Sequence, residues 1–150
     1  MRRELEDTDA AFGGLAARVG FEHWHTRPEG GPWSAGQTLT HILLIHEFVP
    51  QLVANARRGR GAFNFPWLVA HVNVLGARWA GSRTDALRVA GRHHHATATT
   101  LALIDTLAPH EWERSARFFS RGQYTMERLV RLPIQHYAEH APDIGRMLAR

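Results

Sequence analysis

The sequence contains no cysteine and no lysine, and it has no long hydrophobic run. Without cysteine the chain forms no disulfides and has no thiolate metal ligand or cysteine nucleophile, so any thiol in its chemistry must come from outside. A run of about 18 apolar residues, as a transmembrane helix needs, does not occur. The start, MRRELEDTDA, lacks the apolar segment of a signal peptide. We therefore expect a cytoplasmic protein that does not span a membrane.

The positive charge of the chain is carried by arginine alone. All 18 basic residues are arginine, and the net charge is +4. The arginines are scattered, and the densest cluster, RRGR at 57–60, falls at a predicted helix end, where the helix dipole favours cations. No basic stripe or aromatic-basic motif accompanies the charge, so the sequence does not predict a nucleic-acid partner.

The chain has 150 residues, of which 44% are hydrophobic and 21% charged. This length and composition predict one soluble domain over residues 1–150. Hydrophobic periodicity indicates four long helices, with little sign of strands outside SARFF at 115–119. The predicted fold is all-α, most simply a four-helix bundle. The four helices are expected over about Arg3–Val19, from Ser34 to about Arg57, Thr84–Leu107 and Thr125–Leu148.

The second predicted helix has the clearest start. Ser34 and Gln37 form a serine-x-x-glutamine capping box. Pro50 lies inside the helix and is expected to bend it. His41 falls at the edge of the apolar face, which the periodicity predicts to contain Leu39, Ile42, Ile45, Phe48, Val49, Leu52 and Val53.

The other segments are less regular. The apolar stretch 61–81 contains Trp67 and Trp79 and is expected to be a long connection with a short helix, either a lid or a dimer contact. The third helix is predicted to turn Leu87, Gly91, His94, Ala98, Leu101 and Ile104 inward. For the fourth helix the predicted inward residues are Met126, Leu129, Pro133, Tyr137, His140, Ile144 and Met147.

The 11 histidines include a pair four residues apart, His136 and His140. This spacing turns the two side chains only about 40° from each other on a helix. A metal ion needs a third ligand, for which His41 is the natural candidate. Three imidazoles plus water form the usual open zinc site, and nickel, iron or manganese could use the same ligands. The alternative is that these are ordinary core or surface histidines.

Three further patterns bear on function. HYAEH at 136–140 matches the H-x-x-E-H pattern of a metallopeptidase family, with Glu139 as general base, but the further ligand and the sheet of those enzymes are missing. In RHHH at 92–95, helix geometry predicts one histidine inward and two solvated. We expect His94, rather than His93 or His95, to face the cavity as a proton shuttle or substrate contact. Glu47 is a candidate for supporting the ligands from outside the coordination shell.

Two stretches together resemble a known family. PWSAGQTLTHILLIHE at 32–47 and YTMERLVRLPIQHYAEH at 124–140 are similar to the second and last helices of the DinB-like (YfiT-like) metal-binding four-helix bundles. The resemblance implies an up-down-down-up bundle, frequent homodimers, and a metal triad of His41, His136 and His140 with water as a further ligand. Pro133 and Pro142, which flank the histidine pair, depart from the family pattern.

Some members of that family resemble thiol-dependent transferases or isomerases that use low-molecular-weight thiols. The resemblance therefore implies a divalent metal, most simply zinc or nickel, that activates an external thiol or water toward a small-molecule electrophile. Two alternatives stay open. One is a non-catalytic helical bundle that acts as a binding or stress-response module, and the other is a metallohydrolase that uses Glu139. The sequence assigns no catalytic residue beyond these.

Overall fold

A computed structural model of the chain describes residues 1–28, 31, 33–60, 75–118 and 122–149. Its helices are α1 (Arg2–Ala17), α2 (Phe21–His25), α3 (Ala35–Arg57), α4 (Ala86–Asp105), α5 (Met126–Val130) and α6 (Leu132–Leu148). Residues 75–81 are also helical, and Pro109–Glu111 form a 3-10 turn. Strands β1 (Ser115–Arg117) and β2 (Gln123–Thr125) complete the described elements.

The described part of the chain is mostly helical, as the all-α prediction requires. The exception is the antiparallel pair of β1 and β2, in which Ala116 faces Tyr124 across the ladder. The predicted fourth helix is divided into α5 and α6 by a turn at Arg131. Pro133 lies in the first turn of α6, where a missing amide hydrogen costs little. Of the predicted 61–81 connection, residues 61–74 lie outside the described residues.

The long helices pack in pairs. Helices α1 and α3 each pack against both α4 and α6. One cluster of buried residues lies between them and contains Phe12, Trp24, Leu39, Ile42, Val89 and Ile144. A second cluster joins the far half of α3 to the β-pair and α5, and contains Val49, Leu52, Val53, Tyr124, Met126 and Leu129. Because α3 contributes to both clusters, its rotation fixes which side chains face each neighbour.

The start of α3 is held by three contacts. The predicted capping box is present, since the Ser34 hydroxyl accepts from the Gln37 amide and the Gln37 side chain accepts from the Ser34 amide. The Ser34 hydroxyl also donates to the Trp24 carbonyl at 2.6 Å. Gly36 allows the Trp24 ring to approach the helix, because an added Cβ would lie 2.5 Å from that ring. These contacts set the helical register of the following residues.

The prediction of which side of α4 faces inward is wrong. Leu87 is 84% exposed, and Gly91, His94 and Ala98 are exposed as well, while Leu101 and Ile104 are partly buried. The buried residues of α4 are instead Val89, His93, Ala96, Thr97 and Thr100. The physical reason is that His93 and Thr100 on this face find hydrogen-bond partners inside the protein, so hydrophobicity alone misplaces the face by about one residue.

The other helix faces agree better with expectation. On α3, Leu39, Ile42, Val49, Leu52 and Val53 are buried, whereas Ile45 and Phe48 are partly buried. In α5 and α6, Met126, Leu129, Pro133 and Ile144 are buried, and Tyr137, His140 and Met147 are partly buried. Among the described helices, none is long and apolar enough to cross a membrane.

Candidate metal centre

The three histidines predicted to converge do so. His41 on α3 and His136 and His140 on α6 each place one ring nitrogen so that the three nitrogens lie within 4.8 Å of one another. The Nε2 atoms of His41 and His136 are 2.8 Å apart. The ring centroids are separated by 4.6 Å for His41–His136, 5.1 Å for His41–His140 and 4.6 Å for His136–His140. The local helix spacing and the packing of α3 on α6 together produce this arrangement.

The histidine triad, defined as His41, His136 and His140, extends from the core toward the surface. His41 is 4% exposed, whereas the side chains of His136 and His140 are 12% and 22% exposed. A metal centre that performs chemistry needs both firm ligands and an accessible side. This gradient of burial supplies both.

The nitrogen distances fit a metal ion. Zinc–nitrogen bonds are about 2.0–2.1 Å long, so two nitrogens of a tetrahedral site lie about 3.3 Å apart. In the triad one pair of nitrogens is 2.8 Å apart, and no pair is more than 4.8 Å apart. Small side-chain rotations would therefore suffice to equalise these distances. Three imidazoles without a thiolate also suit zinc, nickel or iron.

Trp33 forms one wall of the triad. Its ring centroid lies 4.6 Å from that of His41 and 6.3 Å from that of His140. Its Nε1 atom is buried and has no hydrogen-bond partner in the part of the chain that the structure describes. Trp33 directly precedes Ser34, the residue that caps α3, and contacts two of the ligand candidates.

Each of the two histidines on α6 is followed three residues later by an acidic residue. The Nδ1 atom of His136 lies 3.4 Å from a carboxylate oxygen of Glu139, and the Nδ1 atom of His140 lies 3.9 Å from one of Asp143. A carboxylate on the nitrogen that does not face the metal fixes the orientation and proton position of a ligand histidine. Glu139, considered as a general base from sequence, is placed to orient His136.

The two prolines of α6 leave the histidine pair together. Pro142 lies inside the helix and removes an amide that would otherwise bond to the Ala138 carbonyl. Even so, α6 continues from Leu132 to Leu148, and the rings of His136 and His140 stay 4.6 Å apart.

Other predicted site residues lie elsewhere. Glu47 forms an ion pair with Arg92 at 2.6 Å, so it connects α3 to α4. His94 is 78% exposed in its side chain and contacts Asp9, so the prediction that it faces the cavity is wrong. Its neighbour His93 is buried, which agrees with one of the three consecutive histidines pointing inward.

A second polar cluster, unnoticed in the sequence, lies between α1, α3 and α4. His93 contacts Asp9 at 2.7 Å and His46 at 3.1 Å. Burial lowers the pKa of His46 to about 3. It also lowers the pKa of His93, against the opposing effect of the Asp9 hydrogen bond. The available signal was a histidine, His46, within the apolar stretch ILLIHEFV.

A family model described as the DinB superfamily matches residues 4–144, which is nearly the whole chain. No curated protein matches the sequence, and no solved structure matches it either.

Proposed function

Because this chain belongs to the DinB superfamily, we propose that it is a metal-dependent enzyme whose divalent ion is held by His41, His136 and His140. The observation that carries this proposal is the convergence of three imidazole nitrogens from two helices within 4.8 Å. Zinc and nickel suit the ligands best, and iron or manganese could use them. The ion would lower the pKa of a thiol or water at its open position.

In the proposed reaction, the sulfur of a metal-activated thiol attacks a small electrophile, so that the thiol compound becomes bonded to it. Since the chain has no cysteine, the thiol would be a low-molecular-weight compound from solution. Within the chain, Glu139 would hold the ring of His136 by accepting from its Nδ1–H, and Trp33 would exclude water from one side. Both roles rest on the contacts of these residues with the triad.

The proposed architecture is a single four-helix-bundle domain over residues 1–150, with up-down-down-up topology and a long connection between α3 and α4. The packing of α1 and α3 against both α4 and α6 supports this bundle. We further propose a cytoplasmic homodimer that acts on a small molecule, as the family resemblance implies.

Two alternatives make different predictions. A non-catalytic bundle, acting as a binding or stress-response module, would not need its histidines to meet, whereas here they do. A metallohydrolase with Glu139 as base needs this carboxylate beside the reacting water. Its position at Nδ1 of His136, on the ring edge away from His41, favours an orienting role instead.

The test is elemental analysis of untagged protein purified without added metal or chelator. We expect about one equivalent of a divalent metal per chain, and its loss when His41, His136 or His140 is changed to alanine. His95→Ala, at an exposed position of α4, is the matched control and should keep the metal. Unchanged stoichiometry in all three triad variants would refute the proposed site. Absence of bound metal, even after reconstitution, would favour the binding module.

A further inference from the structure

Four polar side chains from three helices form a continuous chain inside the protein, which we call the Asp9–Thr100 chain. The Nδ1 atom of His93 lies 2.7 Å from Oδ1 of Asp9, and its Nε2 atom lies 3.1 Å from Nδ1 of His46. On the far side, Nε2 of His46 lies 3.4 Å from the hydroxyl of Thr100. The Asp9–Thr100 chain thus connects α1 to α4, α4 to α3, and α3 back to α4.

The Asp9–Thr100 chain is enclosed except at one end. His46, His93 and Thr100 are at most 1% exposed, whereas the side chain of Asp9 is 15% exposed. Phe12 stacks on His93 with ring centroids 3.9 Å apart and nearly parallel planes. Bulk water can therefore reach the chain most easily at Asp9.

Other titratable or charged groups face the chain from the neighbouring helices. His94 contacts the second oxygen of Asp9 at 2.6 Å. The Glu47–Arg92 ion pair lies on α3 and α4 beside the two buried imidazoles. From α6, Tyr137 approaches Phe12 with ring centroids 6.3 Å apart and so is separated from the imidazoles by that ring.

The donors and acceptors of the resting state follow from the carboxylate. An ionised Asp9 only accepts hydrogen bonds, so Nδ1 of His93 must carry a proton. Neutral His93 then accepts at Nε2, which requires a proton on Nδ1 of His46. His46 in turn accepts at Nε2 from the Thr100 hydroxyl. Both imidazoles are thus fixed with the proton on Nδ1, the less favoured position in free neutral histidine.

We propose that the Asp9–Thr100 chain is a buried proton-binding site that takes up one proton, and only one, while the protein stays folded. The added proton comes from hydronium and reaches Nε2 of His46 when the helices open locally, because every hydrogen bond of the resting state donates toward Asp9 and cannot relay a proton inward from there. His46 then donates to the Thr100 oxygen. The proton between the rings moves from Nδ1 of His46 to Nε2 of His93. The positive charge therefore rests on His93, beside the carboxylate of Asp9, and every ring nitrogen of the two histidines keeps a partner.

A second proton has no place on the two imidazoles in this geometry. It would have to occupy Nδ1 of His46, which then would present an N–H group to the N–H group of His93 across 3.1 Å. Two positive charges would face each other without an acceptor, in a site where unpaired charges are costly. Uptake of a second proton should therefore separate α1 and α4 from α3.

The lowered pKa values of Asp9 and His46 agree with a site in which Asp9 stays ionised and His46 stays uncharged. Burial acts to raise the pKa of Asp9, but hydrogen bonds from His93 and His94 outweigh that effect and lower it, so Asp9 stays ionised. Burial and the charge on His93 both lower the pKa of His46.

The experiment is an NMR titration of the full chain with 15N-labelled histidine, in which ring nitrogen shifts report each protonation state. At neutral pH we expect protonated Nδ1 and unprotonated Nε2 on both His46 and His93. During acidification of the folded protein, His93 should become doubly protonated while His46 changes its proton to Nε2. A proton on Nε2 of His46 at neutral pH would overturn the proposal. So would double protonation of both rings in the folded state, or unfolding before either ring titrates.

Asp9→Asn and His94→Gln form a matched pair of variants. In the Asp9→Asn protein the side-chain amide can still accept from Nδ1 of His93 but offers no charge, so uptake should move to lower pH by about one unit or more. His94→Gln changes the exposed partner of the same carboxylate and should not lower the uptake pH. Equal behaviour of the two variants would contradict the role of Asp9.

Thr100→Val is the second variant, and it keeps the carboxylate in case Asp9→Asn does not fold. The resting positions of the protons should persist in it, because they are set from Asp9. Its protonated state lacks an acceptor for Nε2–H of His46, so that ring should no longer hold a proton on Nε2 alone. A Thr100→Val protein in which His46 still changes its proton to Nε2, as in the unchanged chain, would contradict the proposal.

Discussion

The Nε2 atoms of His41 and His136 lie 2.8 Å apart, although the two residues are 95 positions apart in the chain. At this distance one nitrogen donates and the other accepts, since two lone pairs or two N–H groups would repel. Glu139, near Nδ1 of His136, favours a proton on that nitrogen. His41 is then the donor, and Nε2 of His136 already offers the lone pair that a metal requires.

Glu139→Ala should weaken zinc binding by about 10- to 100-fold, because the ring of His136 loses the carboxylate that orients it. Asp143→Ala should weaken it less, since Asp143 is 3.9 Å from His140 and also pairs with Arg146. Competition for zinc with a chromophoric chelator measures both affinities. A larger effect at Asp143 would contradict the assignment.

Trp33 should report an open-shell ion at the triad. Its ring is 4.6 Å from that of His41, so nickel bound there should quench its fluorescence at short range. Trp33→Phe should remove most of the nickel-dependent quenching. Trp112→Phe, which changes a ring packed against the other buried cluster, should leave it. Quenching that survives in Trp33→Phe would place the nickel elsewhere.

Gly36→Ala should destabilise the protein, whereas Gly91→Ala should stabilise it. Both glycines are helical, and alanine favours a helix by about 1 kcal/mol. At Gly36, however, the new Cβ would lie 2.5 Å from the Trp24 ring, and overpacking typically costs about 1–3 kcal/mol. At Gly91 the new Cβ would meet no atom within 4 Å in the described part of the chain, apart from its chain neighbours and the backbone of its own helix. Urea unfolding of both variants measures the sign of each change in the free energy of unfolding.

The free energy of unfolding should fall as pH is lowered below about 6.5. The pKa of His46 is about 3 in the folded protein and about 6.5 when unfolded, so the unfolded chain binds more protons between these values. The stability that depends on His46 is therefore fully present above about pH 6.5 and is lost toward about pH 3, by about 1.4 kcal/mol per pH unit.

Urea unfolding at about pH 7 and about pH 5.5, with chelator present, measures that slope. His46→Gln removes the titrating ring and should make the pH dependence shallower. His95→Ala, at an exposed position, should keep the slope of the unchanged chain. An equal slope in the His46→Gln protein would show that this imidazole is not responsible.

Local patterns predicted the convergence of the histidine triad. The capping box at Ser34 needs only four consecutive residues, and the spacing of His136 and His140 needs only one helix turn. Both are present in the structure. The third member, His41, followed from the chemistry of the ion, because two imidazoles leave it short of ligands.

Contacts between helices were harder to predict. The face of α4 was misplaced because Leu87 is outside while His93, Thr97 and Thr100 are inside. The stability of that face depends on partners supplied by α1 and α3, such as Asp9 and His46. Hydrophobic periodicity is evaluated for each helix separately. It therefore cannot reveal a buried polar group whose hydrogen-bond partner lies on another helix.

The capping box also fixes how many residues must separate Ser34 from His41. His41 lies seven residues, or about two turns, after Ser34, and each residue advances a helix by about 100° and 1.5 Å. Deleting or inserting one residue between these positions would turn His41 away from α6 while leaving the helix start in place. Changes in length between Ser34 and His41 should therefore be rejected, whatever residue types are involved.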